Sequence, residues 1–179
     1  MALTEMELWE KAAAFHGHVC PGLTVGYKAA LYARELLGLE FSEDEEVVCV
    51  TENDACGVDA ISVISGCTVG KGNLLFRLRG KQAFSFFNRK TGKSARLALK
   101  NLYMEELSRD EKQKAMFDAP HGELFEVEDV PFALPESARI FASVTCEECG
   151  EKTAENYVRV QEGKKLCLDC RKPDRKSVV

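Results

Sequence analysis

Leu74-Leu-Phe-Arg-Leu-Arg-Gly80-Lys-Gln-Ala83-Phe-Ser-Phe-Phe87-Asn-Arg-Lys-Thr-Gly92-Lys-Ser-Ala-Arg96-Leu-Ala-Leu99 decides the fold class. Leu74 to Arg79, Ala83 to Phe87 and Arg96 to Leu99 alternate or cluster apolar residues as the strands of an antiparallel sheet do. Upstream, Val47 to Thr51 is a β-branched run and reads as another strand. Helical signals surround these strands. Thr4 with Glu7 has capping-box spacing, which predicts a helix to about Phe15. His16 to Gly22 holds two glycines and a proline and reads as a loop. Leu23, Tyr27, Ala30 and Leu31 carry helical spacing up to Leu37, with Gly38 as a C-cap. Gly57 to Ser65 reads as a short helix, and Ser108 with Glu111 caps another that ends before Pro120. The class is α+β: an antiparallel or mixed sheet with packed helices.

The chain has 179 residues and a mass of 19.9 kDa, enough for one ordinary domain plus a small module. Hydrophobic residues make up 45% and charged residues 30%, the balance of a globular chain rather than a disordered one. No run of 18 apolar residues occurs, so no transmembrane helix is expected. Met1 to Trp9 carries Glu5 and Glu7 and lacks an apolar h-region, so no secretory signal is expected. A cytoplasmic protein follows. The net charge, 24 − 29 = −5, argues against nucleic-acid binding by the whole chain. Glu35 to Asp54 holds eight acidic residues and no basic one, and Lys71 to Lys100 nine basic and no acidic. The expectation is a surface with a negative and a positive side. Eight cysteines in a reducing compartment point to metal or redox chemistry.

Four of the eight lie in Cys146-Glu-Glu-Cys149 and Cys167-Leu-Asp-Cys170, a CxxC-x17-CxxC arrangement. That spacing is a structural zinc signature: two turns aim four thiolates at one point and close a tetrahedral S4 shell. The surrounding segment is too poor in apolar side chains to fold alone, so metal binding must supply the folding free energy. Thiol–disulfide motifs, by contrast, use one CxxC beside a βαβ unit. The expected division is a core over 1–143 and a zinc ribbon with a basic tail over 144–179.

Phe15-His16-Gly17-His18-Val19-Cys20-Pro21-Gly22 places two imidazoles and a thiol within five residues. In an extended segment His18 and Cys20, two apart, point the same way, and His16 can join them. Cys20 also precedes a helix, whose N-terminal N–H groups lower a thiol pKa. The alternative is that the histidines only cap that helix. A second polar cluster, Glu52-Asn53-Asp54-Ala55-Cys56-Gly57-Val58-Asp59-Ala60, follows a strand and opens a helix. Asp54, Cys56 and Asp59 are its titratable groups near the helix start, although Asn53 and Asp54 also suit a cap and turn. Cys20, Cys56 and Asp59 are the catalytic candidates. Asp54 and Asp59 are candidates to orient a ligand imidazole. Cys49, among valines, reads as a core residue, and Cys67 is undecided between loop packing and a site. Gly66-Cys-Thr-Val-Gly70-Lys71-Gly72 lacks P-loop spacing, which excludes nucleotide hydrolysis on that motif. Glycine N–H groups beside Lys71 leave a weak anion-binding candidate, with tight strand entry as the alternative.

Phe15 to Leu23, Glu52 to Ala60, Gly66-Cys-Thr-Val-Gly-Lys-Gly-Asn-Leu74 and Asn88-Arg-Lys-Thr-Gly92 together resemble the FmdE-like family of formylmethanofuran dehydrogenase proteins, in its order and spacing. The resemblance spans roughly residues 10 to 100. It implies an α+β core, a homodimer, and a metal-binding cavity lined by the His-Gly-His-x-Cys segment and the second cysteine motif. Carried over residue by residue, it puts His16, His18, Cys20 and Cys56 at the core site, holding zinc, nickel, copper or iron. Some members carry a C-terminal zinc ribbon. Members often show Ser before the second cysteine, where this chain has Ala55, and Gly57 follows; neither change removes a ligand. The family takes its name from association with a molybdenum or tungsten enzyme that reduces carbon dioxide onto methanofuran, and the polypeptides of such an enzyme are the implied partners. Nothing here resembles a molybdopterin-bearing catalytic chain, and no C-x2-C-x2-C-x3-C cluster run occurs.

Three functions fit these readings. The first is a metal-binding accessory protein of a molybdenum or tungsten enzyme or of one-carbon metabolism. The second is an enzyme whose core metal or thiolate acts on a small anionic substrate. The third is a zinc-ribbon regulator, for which Arg171, Lys172, Arg175 and Lys176 supply phosphate contacts and the acidic net charge is unfavourable.

Overall fold

The computed structural model describes residues 3–101 and 106–173. The chain divides into two compact units, Met1–Ala138 and Arg139–Val179, a boundary five residues ahead of the one expected from the cysteine spacing. The Glu155 amide donates to the Ala142 carbonyl at 2.9 Å, which ties the residues just before the first ribbon strand to the second unit.

In the first unit, α1 (Glu5–His16) starts at a complete capping box between Thr4 and Glu7 and ends at Gly17, whose φ is 87°. Cys20 then caps α2 (Pro21–Leu37), and Pro21 occupies its first position, where no N–H is needed. The expected loop from His16 to Gly22 is therefore shorter, because α1 runs through His16 and α2 begins at Pro21. α2 is buried on nearly every face from Leu23 to Ala33 and forms the spine of the unit. Even Lys28 is buried, and its ammonium donates to the Ala119 carbonyl at 2.8 Å.

β1 (Val47–Thr51) leads into α3 (Gly57–Ser65), as expected. β2 (Leu74–Phe76), β3 (Ala83–Asn88) and β4 (Ser94–Leu99) follow, then α4 (Arg109–Asp118), α5 (His121–Leu124) and β5 (Phe125–Glu128). The sheet order is β2-β1-β3-β4-β5. β1, β3, β4 and β5 pair antiparallel. β2 is a correction: it stops at Phe76 and lies parallel to β1, with Cys49 opposite Leu74. The α3 crossover between β1 and β2 returns the chain in the same direction, which makes the sheet mixed. α1, α2 and α3 bury Leu23, Ile61, Phe84, Phe86 and Leu97 on one face. On the other face Val48, Val50 and Phe87 pack against Leu75, Val130 and Phe132.

The expected separation into a negative and a positive side does not form. β1 lies between β2 and β3, so the acidic approach to β1 runs beside the basic strands. Glu52 and Glu128 both bind the buried Arg96, with Arg96 Nε donating to Glu52 Oε1 at 2.7 Å. Arg89 pairs with Glu45 at 3.4 Å, and Arg77 stacks over Phe132 at 5.0 Å.

The second unit holds two hairpins: β6 (Ser143–Thr145) with β7 (Lys152–Ala154), and β8 (Arg159–Gln161) with β9 (Lys164–Leu166). Glu162 and Gly163 between the latter pair both have positive φ, 52° and 80°, the requirement of a two-residue hairpin loop. Among the described residues, the buried apolar side chains of this unit are Cys146, Leu166 and Cys167. Of the four basic residues named for a phosphate contact, Arg175 and Lys176 lie outside the described residues. Lys172 exchanges backbone hydrogen bonds with the Gln161 side chain.

Candidate metal centres

Two glycine contacts set up the core site. A Cβ on Gly26 would lie 1.9 Å from the Gly57 carbonyl oxygen, and one on Gly22 would lie 3.3 Å from Cys56 Cβ. With hydrogen at these positions α2 and the start of α3 touch backbone to backbone, and the Cys20 and Cys56 thiols come together at two helix N-termini. Cys20 Sγ accepts from the Leu23 amide at 3.3 Å, while Cys56 caps α3 without a side-chain hydrogen bond.

His16, the last residue of α1, completes the group: His16, Cys20 and Cys56 offer ligand atoms that all lie within 4.8 Å of one another. The His16 ring is held by Asp59, whose Oδ2 lies 2.7 Å from Nδ1. With Nδ1–H donating to that carboxylate, the Nε2 lone pair faces Cys20 Sγ, 4.0 Å away. Burial, and then the neighbouring Cys20 thiol, push the Cys56 thiol above its usual range. One imidazole and two thiols suit a borderline or soft divalent ion, which would let both sulfurs ionise. The donor set fits a transition metal on these grounds.

His18 takes a different place from the expected one. The segment does not run extended from His16 to Cys20, because Gly17 turns left-handed and the next helix starts at Pro21. The two-residue alternation that paired His18 with Cys20 is thereby lost. His18 is exposed, with its ring 4.5 Å from the His16 ring, and it is outside the group of three. Beside the group opens a cavity of about 540 Å³ lined by His16, Asp54, Cys56, Asp59, Ser62 and Phe76, with Ala55, Val58, Val69 and Leu74 completing the wall.

The remaining candidates serve packing. Lys71 Nζ donates to the Ser42 carbonyl at 2.7 Å and lies over the Phe41 ring, which ties the glycine-rich segment to the approach of β1. The Cys67 thiol points at the Val47 carbonyl, 3.5 Å away, and burial pushes it up to about 11. Cys49 is fully buried in β1, as expected, and its thiol is raised well above the ordinary range by burial. Asn53 closes its own turn, accepting from the Ala55 amide at 3.1 Å.

In the second unit Cys146, Cys149, Cys167 and Cys170 also converge within 4.8 Å. Cys149 Sγ and Cys167 Sγ are 4.0 Å apart. Each CxxC turn is closed by its backbone: the Gly150 amide donates to the Cys146 carbonyl at 3.0 Å, and the Arg171 amide to the Cys167 carbonyl at 3.1 Å. Backbone amides of Cys149, Cys167 and Glu148 converge on Cys146 and hold its thiol at about 6, already a thiolate at neutral pH. Four soft donors and almost no apolar core define a structural zinc ribbon.

The fold and its two cysteine-bearing sites define a class: an α+β core with a His/Cys cluster at the junction of three helices, followed by a zinc ribbon. Residues 15–129 match the family described as "FmdE, Molybdenum formylmethanofuran dehydrogenase operon", and the chain belongs to that family. Residues 139–174 match the "Prokaryotic dksA/traR C4-type zinc finger". The chain is 30% identical, over 89% of its length, to a protein of Archaeoglobus fulgidus described as "Probable S-adenosyl-L-methionine-binding protein". It spans 51% of that relative's length. The fold matches the crystal structure of an FmdE-like protein of tungsten formylmethanofuran dehydrogenase from Syntrophus aciditrophicus with a TM-score of 0.71, at 24% identity. That match covers 94% of this chain and 92% of the other. No described helix is long and apolar enough to cross a membrane.

Proposed function

We propose that this chain is a cytoplasmic metal-holding accessory protein of a molybdenum or tungsten formylmethanofuran dehydrogenase, or of related one-carbon metabolism, and that it works as a homodimer. The observation that carries this reading is the convergence of His16, Cys20 and Cys56, with the His16 ring fixed by Asp59. A bound transition metal would supply a soft Lewis-acid centre there. The chain's own residues hold and orient the donors: two helix N-termini favour the thiolates and Asp59 fixes the tautomer of His16. The ribbon zinc has a full set of protein ligands, so the ribbon belongs to folding or docking.

The cavity beside the three donors favours a second reading, in which this site acts on a small molecule. Elemental analysis of the full chain decides the metal question. Two metal ions per chain are expected, falling to one when Cys20 and Cys56 are both changed to alanine. A wild-type stoichiometry of one would sink the core site. Light scattering tests the dimer, and co-purification with the dehydrogenase polypeptides tests the partnership.

A further inference from the structure

The cavity of about 540 Å³ beside His16 and Cys56 is large enough for a small organic ligand. Its charges run opposite to those expected for an anionic substrate. Asp54 and Asp59 supply the carboxylates, and no lysine or arginine is among the described residues that line it. The basic side chains nearest in sequence are engaged elsewhere: Arg77 stacks on Phe132 and Lys71 binds the Ser42 carbonyl. A divalent ion held by two thiolates and one imidazole is formally neutral, so occupancy of the core site leaves both carboxylates uncompensated.

The rest of the wall is apolar, and much of it is open to solvent. Phe76 is 45% exposed and Val69 64% exposed, an arrangement that a monomeric surface does not need for its own packing. An aromatic face, aliphatic side chains and carboxylates around one cavity are the elements that recognise a cation bearing alkyl groups. Such a cation meets the ring through its charge and the aliphatic wall through its substituents.

We infer that this cavity binds an organic monocation of the quaternary ammonium or sulfonium class, set against Phe76 and neutralised by Asp54. This deepens the proposed core site and rests on it only for the neutrality of the bound metal. The ligand would lie beside the three donors, with Asp59 kept for His16.

Three molecules of nearly one shape separate charge from fit: choline, 3,3-dimethylbutan-1-ol and 3,3-dimethylbutanoate. Binding of each to the full, metal-loaded chain is measured by ligand-observed NMR titration. Choline is expected to bind at least about tenfold tighter than the alcohol, with the carboxylate weakest. Asp54→Asn should weaken choline about fivefold, with its preference over the alcohol shrinking in step, and Phe76→Ala should weaken it comparably. Equal affinities, tightest binding by the carboxylate, or no binding of choline would overturn the proposal. Metal stoichiometry, measured separately, reports on the core metal: one ion per chain with choline selectivity retained removes the metal reading and leaves the cation site. Two ions without selectivity does the reverse.

Discussion

Gly26 of α2 lies against Gly57 at the start of α3 so closely that a single methyl on Gly26 would sit 1.9 Å from the Gly57 carbonyl oxygen. Neither glycine has positive φ, so neither is required by its own backbone conformation. They are required by each other, since only hydrogen at this crossing lets the two helices bring Cys20 and Cys56 together.

Gly26→Ala should therefore destabilise the core, although alanine is the better helix former by about 1 kcal/mol. Backbone atoms cannot move aside as a flexible side chain can, and a loss of about 2–3 kcal/mol is expected in urea denaturation. Metal at the core site should fall with it. An unchanged or raised denaturation midpoint would refute the close-packing account.

Asp59→Asn should leave the fold intact and weaken core metal binding by about 10- to 100-fold. An amide can still meet His16 Nδ1, but it no longer selects the tautomer that leaves Nε2 free. Chelator competition on the full chain measures this. Metal affinity equal to wild type would show that the 2.7 Å contact is incidental.

Cys149→Ser should release zinc from the ribbon and open the second unit to protease, while the first unit stays resistant. The ribbon buries little beyond Cys146, Leu166 and Cys167, whereas the first unit has a large core of its own. Proteolysis with mass mapping reads this directly, and a ribbon that stays protected in the variant would contradict it.

Acid should weaken the first unit through Glu52. Its carboxyl is held below the ordinary value of 4.5, chiefly by hydrogen bonds from Arg96. A depressed folded-state pKa gives stability that is present above the unfolded value and is lost as pH falls through the folded one, so the loss begins below about 4.5. Glu52→Gln should cost about 3 kcal/mol at pH 7, because Arg96 is then left buried with Glu128 as its remaining carboxylate. It should also flatten the acid limb. A variant whose stability falls with acid as steeply as wild type would remove Glu52 from that role.

What could be read from the chain alone was local. Capping boxes at Thr4 and Ser108, the αL glycine after Leu37, and the limits of β1 and α3 depend on residues a few positions apart, and all four appear as expected. The ribbon was legible for the same reason, since the two CxxC turns are short-range geometry repeated once.

Tertiary structure decided what depends on distant pairs. β2 lies parallel to β1 because of the crossover between them, and β5, which no sequence signal marked, forms by pairing with β4. Arg96 turns inward because Glu52 and Glu128 lie on the neighbouring strands. The choice of His16 over His18 for the three-donor group followed from α1 running on through His16, with Asp59 of α3 waiting 2.7 Å from its ring. Gly26 and Gly57 could have been noticed as glycines in helical stretches, but their meaning lay in a contact across 31 residues (57 − 26). Sequence alone determined the secondary elements and which residue types were available for metal chemistry. Only packing decided which of them meet, because a metal site is a convergence of side chains in space, and its cost of assembly is borne by contacts that no local pattern encodes.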